Sequence, residues 1–469
     1  MKVLFINPPY EHTVGRFKKL AHHAEPPLGL AYLAGFIRSK FPEVTVDILD
    51  AAAFAMDFDE IVSFIKGARP DVLALTSVTM TANSVKKIAR TARQILPGTL
   101  FVAGGIHPTV LPDEFFPDVD ICVLGEGEFT LADILKAHSD GTDFSVIPGV
   151  ALLRDGRCLI TGERPFIEDL DSLPMPAWNL LPLDRYVYQY PHRTSTRRFA
   201  SVFTSRGCPH NCTFCCSKHV WKRKVRFRSV ENIIREIRDL RERFQVSLIH
   251  FADDTFSLDR ERTIALLKRI MAEKIDIRWS CLTRVDALDE ELLLLMKKSG
   301  CADLQIGVES GDPDILKSLD KKITLEQVRE TFRLVKKTGL RCKGTFMIGN
   351  RGETPETIRK TIALALELNP TLAAIAIMVP FPGTALFDEY HAKKQILTYD
   401  WDKYHVYKEP VFFTETLSRE DIIALYREAN RRFYLRPGKI FSYARDTLRS
   451  GRYDILMHSF WNTMNKISG

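Results

Sequence analysis

The 469-residue sequence predicts an α/β protein made of two successive strand–helix series, the first a doubly wound parallel sheet, with a mainly helical C-terminal region. Three observations predict it. Short apolar runs alternate with stretches of helical period along most of the chain. A proline-rich interval separates two such series, and the length exceeds the roughly 100–200 residues usual for one domain. The expected boundaries are 1–145 for the first domain, 146–193 for a linker, 194–390 for the second domain and 391–469 for a C-terminal capping region.

In the first domain, 2–6, 44–49, 71–77, 99–103 and 120–124 read as strands, and 28–40, 59–66, 83–96 and 128–138 have helix periodicity. Sheets of this kind hold ligands beyond the carboxyl ends of their strands. The residues placed there are Asn7, Pro8 and Pro9; Thr76 and Ser77; Gly104, Gly105 and His107; and Gly125, Glu126, Gly127 and Glu128. Glycine lets backbone approach a ligand, and short hydroxyls both donate and accept, so a polar-tailed cofactor suits that edge. No Gly-x-Gly-x-x-Gly follows the first strand, which counts against an ordinary dinucleotide.

Prolines 165, 174, 176, 182 and 191, with no sustained period around them, read as an ordered linker. Beyond it, strands at 199–203, 247–251, 277–282, 303–308, 341–348 and 372–379 alternate with helices such as 230–244, 260–273 and 325–338, which makes six units. A last helix is expected over 417–434, and the mixture of arginines and aromatics from Arg431 to Pro437 also suits a lipid interface.

Composition narrows the class. Apolar residues are 45% and charged residues 27%, as in a soluble globular protein, so disorder is not expected. Nine irregularly spaced cysteines do not make a disulfide scaffold and point to a reduced, cytoplasmic chain. The opening apolar run stops at Asn7-Pro8-Pro9, short of a signal peptide, and no stretch reaches the length of a membrane span. A net charge of +7 permits an anionic partner without demanding one. Lys218, Lys222, Arg223, Lys224, Arg226 and Arg228 read as a solvated face ahead of a nucleic-acid patch.

Directly after the first strand of the second series come Cys208, Cys212 and Cys215, at Cys-x3-Cys-x2-Cys spacing. Thiolates are the usual ligands of a [4Fe–4S] cluster, and three of them leave one iron open to another ligand. The alternative is structural zinc completed by Cys216 or His219, although zinc motifs usually come as two separated pairs. Adjacent side chains point apart, so Cys216 reads as a packed thiol. At the later strand ends stand Asp253 and Asp254, Arg284, Glu309 and Ser310, the glycine-rich run through Gly349, and Pro382. The first of these also have bland readings: a helix cap for one of the acids, a salt bridge for Arg284, a buried and partnered Glu309.

The cysteine spacing, with aromatic Phe214 just before the third thiol, resembles the radical S-adenosylmethionine (SAM) superfamily. Asn7-Pro8-Pro9, Pro26-Pro27-Leu28-Gly29-Leu30, Gly104-Gly105-Ile106-His107-Pro108 and Gly125-Glu126-Gly127-Glu128 resemble the Rossmann-like cobalamin-binding domain fused to many of its members. Together they resemble the cobalamin (B12)-binding-domain-containing radical SAM enzymes. The resemblance implies a partial (β/α)6 barrel, and the helix expected over 417–434 reads as a cap that closes its mouth. It also implies a [4Fe–4S] cluster on Cys208, Cys212 and Cys215, SAM, and cobalamin. In that reading Asp254 holds the SAM amino group, Arg284 its carboxylate, Glu309 and Ser310 its ribose and amino group. The Gly349 segment lies near adenine, Pro382 matches a family motif, and His107 meets the nucleotide tail of the corrin. There are two departures. Tyr10 replaces the aspartate of Asp-x-His-x-x-Gly and takes away the partner that would orient His12, which reads as a surface or loop histidine ahead of a cobalt ligand. Asn350-Arg351 replaces the usual Leu-Pro or Phe-Pro.

The activity so implied is methylation of an unactivated carbon through a 5′-deoxyadenosyl radical and methylcobalamin. Cobalamin-dependent radical oxidation or cyclisation, as in the anaerobic cyclase branch, is the alternative. RNA methylthiolation lacks a second cysteine trio, since only Cys122 and Cys158 occur in the N-terminal domain. A cobalamin sensor without catalysis would not need the trio. Small-molecule, lipid, tetrapyrrole and peptide substrates all suit the framework, with an electron donor such as flavodoxin or ferredoxin. Nucleic acid is not expected, and peripheral membrane contact is allowed.

Overall fold

The computed structural model describes residues 1–10, 25–186 and 198–450. The chain divides into two compact units, Met1–Val187 and Tyr188–Gly469. His12 lies outside the described residues.

The strands of the first unit are β1 (Lys2–Asn7), β2 (Thr45–Asp50), β3 (Val72–Thr76), β4 (Leu100–Gly104), β5 (Ile121–Val123), β6 (Val150–Arg154) and β7 (Arg157–Ile160). They form one sheet in the order β2-β1-β3-β4-β5-β6-β7, parallel through β5. Val3, Leu4, Phe5 and Ile6 of β1 are all fully buried, as expected of a central strand covered on both faces. The strand order reverses beside β1, so the ligand crevice of this topology opens between the carboxyl ends of β1 and β3, where Asn7 and Thr76 stand.

The β6–β7 hairpin and the segment after it differ from the expected linker. Asp155 and Gly156 both have positive φ, an Asp-Gly turn that joins two antiparallel strands onto the sheet edge. Through Tyr186 the remaining stretch is built into the first unit. Trp178 is 2% exposed, Ala177 N–H donates to the Ala31 carbonyl at 2.9 Å, and the Tyr186 hydroxyl donates to Asp50 at 2.7 Å. Gly35 is needed there, because a Cβ would stand 2.4 Å from the Met175 carbonyl oxygen. Apolar anchors hold this segment without any regular period, which is why it reads as a connector in sequence.

The second unit contains β8 (Arg198–Val202), β9 (Ser205–Arg206), β10 (Arg226–Phe227), β11 (Val246–Phe251), β12 (Arg278–Thr283), β13 (Cys301–Glu309), β14 (Arg341–Ile348) and β15 (Leu372–Ile377). Six of them pair in the order β15-β14-β13-β12-β11-β8, every neighbour parallel, and β9–β10 is a short antiparallel pair. Side-chain caps start the intervening helices: Ser229 for Val230–Phe244, Asp259 for Arg260–Ala272, Thr324 with Gln327 for Leu325–Thr338, and Thr354 for Pro355–Leu368.

Burial alternates along β14, and a Cβ on Gly344 would touch the ring of Phe332 in helix Leu325–Thr338 at 3.4 Å. Even-numbered β14 residues therefore face the helices, while Lys343, Thr345 and Met347 face the interior of the curved sheet. The register carries this inward face across to Gln305, Leu282 and Ser280, and from Ser280 to His250. Two further residues along β12 bring the same parity to Arg284, while Asp254 stands three residues past the end of β11 and Glu309 just past the register shift that follows Gly307, all three at the carboxyl ends.

The helix expected to cap the mouth runs along the last strand instead. It is Arg419–Tyr434; Ile422 lies 3.5 Å from where a Gly349 Cβ would be, and the Tyr434 hydroxyl donates to the Ala373 carbonyl at 2.5 Å. With Ile377 N–H bonded to the Val406 carbonyl at 2.7 Å, it covers a sheet edge that would otherwise be open. Among the described residues no helix is long and apolar enough to cross a membrane.

Candidate active site

The cysteine loop leaves β9 through Gly207, whose φ is +102° and whose absent Cβ would lie 2.0 Å from the Lys224 carbonyl oxygen. No other residue fits that approach. Thr213 N–H bonds the Leu319 carbonyl at 3.1 Å, Thr213 C=O accepts from Leu386 N–H at 3.3 Å, and Asn211 bonds Asp320 at 3.1 Å. The loop is thereby tied to segments after β13 and β15.

Cys212 is 8% exposed; Cys208 and Cys215 are half-buried. Burial pushes the thiols of Cys208 and Cys212 up, and that of Cys215 to about 11. Opposing burial are groups that favour anionic sulfur: His210 N–H and the Thr255 hydroxyl at Cys208, Ser217 N–H at Cys215 (3.5 Å), and the cations Lys321 and Arg284 near Cys212. Soft sulfur ligands set among donors and cations fit an iron–sulfur cluster. Among the described residues no three His, Cys, Asp or Glu side chains are placed around a single metal ion, and cubane ligands stand on separate irons. Cys216 turns away and donates to the Pro382 carbonyl at 3.4 Å, its thiol pushed by burial to about 12. Phe214 is half-buried.

The strand-end residues converge on these thiols but divide the work differently from expectation. Asp253 is buried and accepts from Thr204 (hydroxyl 2.7 Å) and Ser205, so it holds the β8–β9 turn from which the loop departs. Neither Asp253 nor Asp254 caps a helix; Asp259 does. Asp254 accepts from the Ser217 hydroxyl at 2.7 Å and acts on Cys208 and Cys215. Its side chain is exposed, yet the protein packed around it raises its carboxyl against the lowering effect of the Ser217 hydroxyl. The guanidinium fork of Arg284 is held bidentately by Asp286 (2.9 and 2.9 Å) and by the Lys321 carbonyl (2.7 Å), the salt-bridge reading. Glu309 takes φ +68° and pairs with Lys321 at 2.9 Å, both side chains 8% exposed. Ser310 is fully buried and bonded to Thr361 at 3.2 Å, which makes it part of the frame.

Lys321, Ser217 and Thr255 were not legible as site residues. Lys321 lies in the charge run Asp320-Lys321-Lys322, and the other two are short hydroxyls beside stronger candidates. Of the basic run behind the loop, Arg226 and Arg228 are buried, Arg228 against Glu236 and the Phe203 carbonyl; Lys222, Arg223 and Lys224 are the exposed members.

The glycine-rich loop after β14 is gathered by Glu353, whose Oε2 accepts from the N–H groups of Gly349 (2.7 Å) and Asn350 (2.8 Å). Burial raises this carboxyl to about 7 from the ordinary 4.5. A raised folded-state value means that the neutral form is favoured by the fold, so its contribution is full below pH 4.5 and is lost as pH climbs to about 7. Glu353→Gln does not titrate. Relative to wild type it is expected to gain about 3 kcal/mol in urea-unfolding stability between about pH 4.5 and pH 8, at about 1.4 kcal/mol for each pH unit between the unfolded and folded values. Parallel pH curves would refute this.

In the first unit the Asn7 amide donates to Asp50 at 2.9 Å, Ser77 and His107 are fully buried, and Pro8 is buried. His107 stands 3.2 Å from the Thr79 hydroxyl and edge-on to Phe115, an internal brace. Glu126 accepts from Ile167 N–H at 3.0 Å, and Glu128 is buried. What remains at the edge is low: half-buried Thr76, Gly104, Gly125 and Gly127, and exposed Gly105. Gly105 crosses Ser77 so closely that a Cβ would lie 2.5 Å from its carbonyl oxygen, whereas a Cβ on Gly125 meets nothing within 4 Å. Such a shallow backbone cradle, running from Thr76 at the switch point across the ends of β4 and β5, fits the flat ring and tail of a corrin.

Residues 202–365 match the radical SAM superfamily and 21–135 the B12 binding domain. The chain is 36% identical to an uncharacterized methyltransferase of Pyrococcus horikoshii, over 93% of each chain. It is 29% identical to the anaerobic magnesium-protoporphyrin IX monomethyl ester cyclase of Rubrivivax gelatinosus, over 93% of this chain and 78% of the relative. Its fold is similar to that of the radical SAM methyltransferase TsrM from Kitasatospora setae, with a TM-score of 0.68 and 19% identity over 84% of this chain and 78% of the other. A three-cysteine loop on a six-stranded parallel sheet and a glycine cradle on a doubly wound one thus occur together in one chain, which belongs to the radical SAM enzymes that carry a B12-binding domain.

Proposed function

We propose that this enzyme methylates an unactivated carbon of a small molecule. The observation that carries the reading is the pairing, in one chain, of a three-thiol loop flanked by Lys321 and Arg284 with a shallow glycine edge beside a topological switch point. Bound there, the cluster, SAM and cobalamin would supply reductive SAM cleavage, hydrogen abstraction and a methyl donor. Cys208, Cys212 and Cys215 would hold the cluster. Asp254 and Glu309 present carboxylates to an amino group, and Arg284 and Lys321 balance a carboxylate. Because Asp286 already holds the Arg284 fork, Arg284 works mainly through its charge. Thr76, Gly104, Gly105, Gly125 and Gly127 would carry the corrin. The reductant would be a low-potential carrier of a reducing, cytoplasmic compartment.

Ring-forming oxidation is the second reading, favoured by the likeness to the anaerobic cyclase. Product analysis separates the two. Anaerobic, reconstituted enzyme given SAM, reductant and cell extract is expected to form S-adenosylhomocysteine together with 5′-deoxyadenosine. 5′-Deoxyadenosine alone would transfer the assignment to oxidation, and neither product would overturn both.

A further inference from the structure

Helix Arg419–Tyr434 turns its apolar side inward, burying Ile422, Leu425, Tyr426, Ala429 and Phe433. The next helix, Pro437–Ser450, does the reverse. Ile440, Phe441 and Leu448 are 52%, 70% and 68% exposed, and with exposed Ala444 they fall at i, i+1, i+4 and i+8. At about 100° per residue these positions make a single stripe. Scattered exposed apolar residues are ordinary; an aligned set marks a surface that meets something.

The base of this helix is fixed. The Lys439 ammonium donates to the Pro370 carbonyl, the Arg436 guanidinium bonds Asn369 at 3.0 Å, and both cations lie over the Phe433 ring, at 4.9 and 4.7 Å. The stripe is therefore held out from a braced root.

Charge identifies what it meets. Residues 431–450 contain six basic residues and one acid, Asp446, a net +5 within a chain whose total is +7. Even with Arg432 paired to Glu428 at 3.1 Å, a second copy would bring an excess of like charge against itself, so this face is ill suited to self-association. An anionic bilayer answers both features, with acyl chains for the apolar stripe and headgroups for the basic flank. We propose that helix Pro437–Ser450 is an interfacial anchor that lays Ile440, Phe441, Ala444 and Leu448 into an anionic membrane surface. The proposal does not depend on the reaction catalysed.

The test is co-sedimentation of the full chain with phosphatidylcholine vesicles, with and without phosphatidylglycerol. Pelleting is expected with phosphatidylglycerol and is expected to weaken as salt is raised. Phe441→Asp with Leu448→Asp should lower the bound fraction on the order of tenfold, about 1.4 kcal/mol, and leave the unfolding midpoint unchanged because both residues are exposed. Arg431→Glu with Arg432→Glu should weaken binding only to the anionic vesicles. Three results would overturn the anchor: a wild-type chain that stays in the supernatant, binding indifferent to both pairs of substitutions, or a wild-type dimer that the Asp pair converts to monomer.

Discussion

Cys212→Ser is expected to remove the iron–sulfur cluster and bring SAM cleavage to background, while the protein stays folded. The thiol is 8% exposed in a loop held by Gly207, Thr213 and Asn211, and none of those bonds uses its sulfur. A serine keeps the volume and loses the soft anionic ligand that iron requires. The measurements are iron and sulfide per chain, the paramagnetic resonance of the reduced protein, and 5′-deoxyadenosine formed under dithionite. Two controls sharpen the result. Cys216→Ser should leave iron intact, because that thiol donates to the Pro382 carbonyl, and Cys122→Ser alters only a buried thiol of the first unit. Loss of metal from Cys216→Ser as complete as from Cys212→Ser would replace the open cluster with a four-ligand centre. Thr255→Ala, which removes the hydroxyl beside Cys208 that bonds the Asp254 carbonyl at 2.8 Å, should weaken cluster retention by roughly 10–100-fold, as outer-shell changes do.

The cysteine loop was legible because covalent spacing survives folding: three thiols within eight residues stay neighbours whatever surrounds them. Asp254, Arg284 and Glu309 were legible because strand ends follow from period, and parallel strands bring their ends together. Direction was harder to read. Ser77, His107 and Ser310 stand at the expected ends yet turn inward to brace the frame, since side-chain direction past a strand depends on one or two backbone torsions. Glu309 shows how much hangs on one of them, reaching its partner only from a left-handed φ of +68°. Partners distant in sequence were invisible as well. Tyr186 bonds Asp50 across 136 residues, and an irregular proline-rich segment becomes part of the first unit through contacts of that kind.

The Glu309–Lys321 pair carries the other large effect. Gly307 makes room for it: a Cβ there would stand 2.4 Å from the Glu309 carboxylate oxygen and 2.7 Å from the Lys321 nitrogen. Lys321→Met removes the ammonium and leaves Glu309 charged and buried, so a loss of about 3–5 kcal/mol in unfolding stability is expected, the usual cost of breaking a buried pair from one side. Glu309→Gln with Lys321→Met removes both charges and should recover most of that loss. SAM affinity should behave differently. In the proposed site Lys321 balances the SAM carboxylate and Glu309 meets its amino group, so both the single and the double variant are expected to bind SAM more weakly in equilibrium dialysis of the reconstituted protein, and Lys321→Arg should rescue part of it. Urea unfolding decides the first half: a double variant as unstable as the single one would mean that Lys321 matters for packing and not for charge. Dialysis decides the second: a double variant with full stability and full SAM affinity would confine the pair to the frame of the barrel and return the carboxylate contact to Arg284 alone.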